Sequence, residues 1–252
     1  MSAIVVVMTR IPAELREPLE GAIADPGESA SRAGPTPTES VPLVAEPVIL
    51  VTGFEPFGSF TMNPSQDLAK ALDGRRIGNC AIAGAVLPVH HLEASRHVSV
   101  LLEEMAPVAV VHLGLAESRA RLALERAAIN VMDYRMADNA GYRAEGEPCV
   151  PEGPAAYFAT LPLPEILAAL TAEGIPAYVS NTAGTFLCNQ TLYRTLHEIA
   201  VRERTTRAGF IHLPSLPAMV AASGLEQASM DLSLMLRGVE TALRVLAETL
   251  AE

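Results

Sequence analysis

Val48-Ile-Leu-Val-Thr-Gly-Phe-Glu-Pro-Phe-Gly58 opens on a short apolar, β-branched run and closes on a turn-forming one. The run Val48 to Thr52 predicts a buried strand, because a strand covered on both faces has no need of alternating polar residues. Gly53 to Gly58 predicts a loop. Pro64 then opens a helical pattern with Leu68 and Leu72 on one face. The alternation continues along the chain. Strands are expected over Ile82 to Val89, Val108 to Gly114, Ala177 to Ser180 and Gly209 to Leu213, with a strand or ribbon over Leu122 to Met132. Helices are expected over Leu92 to Met105, Pro164 to Glu173, Leu187 to Glu203 and Met230 to Leu250, the last with Asp231 near its start. Strands alternating with helices at 25 to 40 residue intervals indicate an α/β fold, with a mainly parallel sheet and helices on both faces. Ligand sites in such sheets lie beyond the carboxyl ends of strands.

Upstream of Val48 the composition changes. Prolines 12, 18, 26, 35, 37, 42 and 47 interrupt a polar, turn-rich stretch that has too little apolar surface to offset chain entropy. Residues 1–46 are therefore read as a flexible extension and residues 47–252 as one catalytic domain. Half of the 252 residues are hydrophobic, enough for a sizeable core. The formal charge of −11 argues against nucleic acid as a partner. No apolar stretch approaches the roughly 20 residues of a spanning helix, and the N-terminus lacks a basic export region. Three cysteines in this length do not make a disulfide framework. A reducing, cytoplasmic setting with free thiols is the expectation.

The residues after each strand carry the chemistry. Phe54 and Phe57 lie in the first loop as core plugs or pocket walls, and that loop has neither a Gly-Lys-Ser/Thr phosphate signature nor dinucleotide glycine spacing. Asn181-Thr-Ala-Gly184-Thr-Phe-Leu-Cys188-Asn189 places a cysteine in the first turn of a helix. There the free N–H groups and the helix dipole favour thiolate and can hold an oxyanion. The competing reading is a small buried hydrophobe. His212 ends an apolar strand 24 residues later, about one helix-plus-strand unit, which is expected to set the two strand ends side by side and makes it a candidate base. Glu125-Arg126 sits in an apolar run, either as a structural ion pair or as the group that orients the base. Arg119 and Arg135 flank that run and are candidates for holding substrate or carbonyl oxygens. His90-His91 lacks the spacing of a zinc site, so no metal and no cofactor is expected. Cys80 and Cys149 are read as structural.

Four motifs taken together resemble the pyrrolidone-carboxylate peptidases, or pyroglutamyl peptidase I, a family of cytoplasmic cysteine peptidases. They are Val51-Thr-Gly-Phe-Glu-Pro-Phe-Gly with Asn63-Pro-Ser, then Glu125-Arg-Ala-Ala-Ile-Asn130, then Thr182-Ala-Gly-Thr-Phe-Leu-Cys-Asn189, and Gly209-Phe-Ile-His-Leu-Pro214. The resemblance runs from about Val48 to Leu246. It implies an α/β/α sandwich with a mainly parallel or mixed sheet, peptides with an N-terminal pyroglutamate as substrates, and a homo-oligomer, tetramer or dimer. By the same resemblance Cys188 matches the nucleophile, His212 the general base and acid, and Glu125 the residue that orients it. Phe54, Phe57, Phe186 and Leu187 match pocket walls, and Asn63, Arg119 and Arg135 polar positions near them. Two positions depart from the pattern. Leu115 stands where the family often has a glutamine, and Val89 where some members have a hydroxyl residue. Weaker polar recognition of the lactam, with the chemistry retained, is expected. The alternatives are a related thiol amidase with another acyl specificity and a non-catalytic binding protein on the same fold.

Overall fold

A computed structural model describes residues 46–251 except residue 118. Of the extension expected over residues 1–46, residues 1–45 lie outside the described residues. In chain order the elements are β1 (Val48–Phe54), α1 (Pro64–Leu72), β2 (Arg76–Ile77), β3 (Cys80–Leu87), α2 (Glu93–Met105) and β4 (Ala109–Leu115). Then come β5 (Leu122–Glu125), β6 (Ala127–Ile129), β7 (Met132–Asp133), β8 (Glu145–Glu147), β9 (Ala156–Phe158) and α3 (Leu163–Ala172). The chain closes with β10 (Ala177–Ser180), α4 (Leu187–Val201), β11 (Arg207–Leu213), α5 (Pro217–Ser223) and α6 (Leu232–Leu250).

Seven strands form one sheet in the order β10-β5-β11-β4-β1-β3-β2. The centre, β11-β4-β1-β3, is parallel, while β5 runs antiparallel to β11 and β2 to β3. The sheet is thus mixed. The expected ribbon over Leu122 to Met132 is three short strands in three different sheets, since β5 pairs with β10 and β11, β6 with β9 and β7 with β8.

Side chains alternate across the sheet as a strand's period of two requires. Ile49 and Val51 pack into the core under α1, α3 and α6, while Leu50 packs into the core under α2 and α4. Helices therefore cover both faces. The expected position of Asp231 at the start of α6 holds, where it accepts from Ser233 N, and Asn63, not foreseen as a cap, accepts from Ser65 N at the start of α1. Gly53 is required for close approach, since a Cβ there would lie 1.9 Å from Ser65 O of α1.

A fully buried histidine ties the two parallel strands nearest the site to α4. His112 Nδ1 meets Thr52 Oγ1 at 2.7 Å, and Nε2 meets Thr195 Oγ1 at 3.0 Å. A neutral ring with one donor and one acceptor satisfies both hydroxyls. Burial lowers its pKa to about 3 from 6.5. The unfolded chain therefore binds a proton that the folded one refuses. Stability is expected to fall as pH drops below about 6.5, by up to about 1.4 kcal/mol per unit for this group. Urea unfolding between pH 7 and pH 5 measures it, and His112→Gln should remove that one-proton share of the slope.

Candidate active site

The site forms where β1, β4, β5 and β11 meet the start of α4. Cys188 is the second residue of α4, behind Phe186, which caps the helix without a side-chain hydrogen bond. The first N–H groups of the helix are thus left free of a side-chain acceptor. Asn189 fixes the start of the helix from the other side. Its amide donates to Ile129 O and Val131 O at 2.9 Å each, and its Oδ1 accepts from Ile129 N.

The nucleophile candidate does not come from a strand next to that of His212. β10, which precedes Cys188, lies at the sheet edge with β5 between it and β11. The loop after β10 carries the chain back over the sheet, so that Cys188 Sγ lies over Gly114 of β4. Gly114 is the register partner of His212. Cys188 and His212 thus occupy neighbouring positions on one face, although among the described residues no hydrogen bond joins them. Catalytic contacts are often loose before substrate binds.

His212 is 4% exposed, and its Nδ1 lies 2.7 Å from Glu125 Oε1. A carboxylate only accepts, so Nδ1 carries the proton and Nε2 is left as an acceptor. Glu125 is fully buried, and the same Oε1 accepts from Arg119 Nη1 at 2.5 Å. The structural pair suggested by Glu125-Arg126 is therefore formed with Arg119. Arg126 instead donates to Asn181 Oδ1 at 2.7 Å.

The electrostatics differ from the sequence expectation. Burial, reinforced by the Glu125 carboxylate, pushes the Cys188 thiol up to about 12, against the opposing pull of Arg119. Burial also holds His212 below the usual histidine range, with Glu125 pulling the other way. At neutral pH the resting pair is a neutral thiol beside a neutral imidazole. The helix terminus does not overcome the loss of water around the sulfur.

A small pocket opens beside the sulfur. Phe54, Phe57, Asn63, Phe186, Leu187 and Cys188 line it together with Val89 and Leu115. Five of the seven expected substrate-binding residues are therefore on one wall system. Phe57 lies 6.1 Å from Phe186 between ring centroids. Asn63 spends its oxygen on Ser65 N and Oγ and donates to Glu55 O. Arg119 is held by Glu125 and is not on the pocket wall, nor is Arg135, which is exposed. Arg135 lies two residues after Asp133, whose backbone holds Thr185 next to Phe186.

Two contributors carried no assigned role in the sequence. Tyr134 packs edge-on against Phe186 at 4.7 Å, with its hydroxyl bonded to Gln190. Gly114 is the floor under the sulfur, and a glycine inside a strand is itself a cue to close approach. His90, His91 and Asp138 also converge. Both Asp138 oxygens are occupied, by His91 N and ring and by Ala140 N and Tyr142 N. His90 Nδ1 accepts from Leu92 N and Glu93 N. These donors hold the protein's own backbone.

A Cβ at Gly114 would lie 3.0 Å from Cys188 Sγ and 2.7 Å from Phe210 Cζ. Gly114→Ala is expected to displace the sulfur and lower kcat by about 10²-fold or more, as positional errors near 1 Å do. Steady-state kinetics on folded variant checks this.

The profile of the family described as pyroglutamyl peptidase matches residues 48–249. The chain is 42% identical over 205 residues to the pyrrolidone-carboxylate peptidase of Pyrococcus furiosus, covering 80% of this chain and 99% of that one. It is 42% identical over 207 residues to the protein of that name from Cupriavidus taiwanensis, covering 82% and 95%. A solved mutant of the pyrrolidone carboxyl peptidase from Pyrococcus furiosus superposes with a TM-score of 0.79 at 42% identity, over 81% of this chain and 99% of that one. Sequence along nearly the whole domain and backbone geometry agree, and the chain belongs to the pyroglutamyl peptidase family.

Proposed function

We propose that this chain removes an N-terminal pyroglutamyl residue from peptides, with Cys188 as nucleophile, His212 as general base and acid, and Glu125 as the group that orients His212. One observation carries the assignment of roles. Cys188 Sγ sits over Gly114, the strand neighbour of a histidine whose Nδ1 is held at 2.7 Å by a buried carboxylate, at the mouth of an apolar pocket.

The resting thiol is neutral, so attack on the scissile carbonyl is coupled to transfer of the Sγ proton to His212 Nε2. The tetrahedral oxyanion is held by N–H groups of the first turn of α4. His212 then gives its proton to the leaving amine, and the thioester is hydrolysed by water that His212 activates. Pyroglutamate is a neutral lactam without a free α-amine. The phenylalanines at 54, 57 and 186 suit its ring, and no charged side chain lines the pocket. A thiol nucleophile suits a reducing cytoplasm, and a homo-oligomer fits the family. Among the described residues no helix is long and apolar enough to cross a membrane. The domain of residues 47–252 contains every group that this chemistry uses, so residues 1–46 are not needed for it.

A second reading rests on Leu115 and Val89, both on the pocket wall. They replace polar side chains of the family pattern and favour a drift toward a less polar acyl group. Amine release from a pyroglutamyl amide and from the matching prolyl amide separates the two. Preference for the pyroglutamyl amide, lost in Cys188→Ser, is the expected result. Equal or inverted preference would establish the second reading. The acid limb of the pH profile gives an independent check. Arg119 helps hold His212 below its usual range. Activity requires neutral His212 and is lost as pH falls through its pKa. In Arg119→Met the acid limb of kcat/KM should move to higher pH. An unmoved limb would remove Arg119 from the electrostatics of the base.

A further inference from the structure

Helices α2 and α4 lie side by side and run in the same direction, with polar groups meeting in a fixed register. Gln190 Nε2 donates to His91 O at 2.6 Å, Ser99 Oγ donates to Glu198 Oε2 at 2.5 Å, and Arg202 pairs with Glu103. Each pair is separated by 99 residues. The constant offset makes a ladder between parallel helices, with rungs a turn or two apart. It sets Ser95 opposite Arg194, and that rung alone is open. Ser95 is 8% exposed, and both its Oγ and Arg194 Nε are buried without a hydrogen-bond partner. Among the described residues Arg194 makes no hydrogen bond and no ion pair. One turn on, Glu198 Oε1 lies 3.4 Å from Arg202 Nε and accepts no hydrogen bond.

Ser95, Ser99, Arg194, Glu198 and Arg202 line one cavity of about 380 Å³, where Arg96, Arg194 and Arg202 outnumber the single carboxylate of Glu198. A half-buried guanidinium without a counter-charge, facing an unpaired hydroxyl, is costly unless something supplies acceptors. The guanidinium of Arg194 can only donate, while the Ser95 hydroxyl can donate or accept. An apolar or cationic ligand would leave Arg194 without an acceptor or counter-charge, whereas a group with two acceptor oxygens and a negative charge satisfies both.

We propose that the open rung between α2 and α4 is a binding site for a small oxyanion, a carboxylate or phosphate group held by Arg194 and Ser95. The free acceptor on Glu198 favours a ligand with a hydrogen-bond donor beside the anion, as in hydrogen phosphate or a free amino acid. The cavity lies apart from the pocket at Cys188, and the two share no lining residue.

Calorimetric titration of the full chain at constant ionic strength tests this, with inorganic phosphate and glycine as separate probes and chloride as control. One site per chain is expected for at least one oxyanion and none for chloride. Arg194→Gln should weaken binding about tenfold or more and Ser95→Ala less, as expected for a charge-assisted and a neutral hydrogen bond. Phosphate binding alone identifies a phosphate site, and glycine binding alone a carboxylate site. Peptidase activity of both variants reports that they are folded, and Ser95→Ala stands if Arg194→Gln does not fold. The proposal is overturned if neither probe binds, or if both variants bind as the parent does. It is also overturned if the parent binds no probe while Arg194→Gln changes the sedimentation coefficient, since a second copy's carboxylate would then fill the rung.

Discussion

A carboxyl group with no exposure sits at the centre of this site, and the surrounding arrangement follows from giving it partners. Glu125 is removed from water on every side. A charge so placed is tolerated only beside a cation and hydrogen-bond donors. Arg119 and His212 meet that demand on the same oxygen, and among the described residues Oε2 has no partner. The short strand β5 delivers the group. Because β5 runs antiparallel to β11, Glu125 lies opposite Phe210, and its side chain reaches diagonally to His212. A parallel β5 would have changed which side chains face each other. The antiparallel insertion in an otherwise parallel centre is thus what brings acid and base together.

Much of this was legible in the sequence, for definable reasons. The buried strands over Val48 to Thr52 and Val108 to Gly114 are apolar runs of strand length, and they form within a residue or two of where periodicity puts them. The helix behind Cys188 begins at Leu187 as its apolar spacing indicates. The direction of β5 was not legible, since four residues carry no signal of the neighbour they will choose. The same holds for β2, β8 and β9, each two or three residues long. For the site, strand-end histidine and helix-start cysteine were correct markers of position. The reason they meet was different: the separation of 24 residues suggested neighbouring strands, but β5 lies between them and the loop after β10 closes the gap. Arg119 shows another limit. A sequence reveals that an arginine is nearby, but whether it meets substrate or a buried acid depends on which carboxylate the fold removes from water.

The protonation state follows from the same burial. A helix N-terminus lowers a thiol pKa when the sulfur is partly hydrated and the dipole is the main influence. Here Cys188 lies beside an apolar pocket and under the field of Glu125, and both effects favour the neutral thiol. The imidazole is neutral for the related reason that charging it would place a cation in a dry site. A neutral pair has consequences for the chemistry. No standing thiolate is exposed to oxidants or adventitious electrophiles, and in the proposed reaction the nucleophile is made only as a carbonyl arrives to take the charge. The first-turn N–H groups of α4 then act on the oxyanion, where charge develops, rather than on the sulfur, where it would stabilise the ground state as well.

Leu115 and Val89 belong to this same dry environment. Each stands where the resemblance leads one to expect a polar side chain, has no hydrogen-bonding group in its side chain, and lines the pocket beside Phe54 and Leu187. Removing a side-chain partner of the lactam loses a hydrogen bond of about 1 kcal/mol. It also removes a polar group that the empty pocket would have to keep satisfied. Backbone groups are less free to vary than side chains, and Val89 has its own backbone N–H fixed by Glu55 Oε1 at 2.9 Å. Glu55 also accepts from Asn139, so this loop of the pocket is braced from behind by a carboxylate that does not line the pocket. In the proposed reaction, shape, held by that brace and by the aromatic rings, would carry more of the recognition than side-chain polarity.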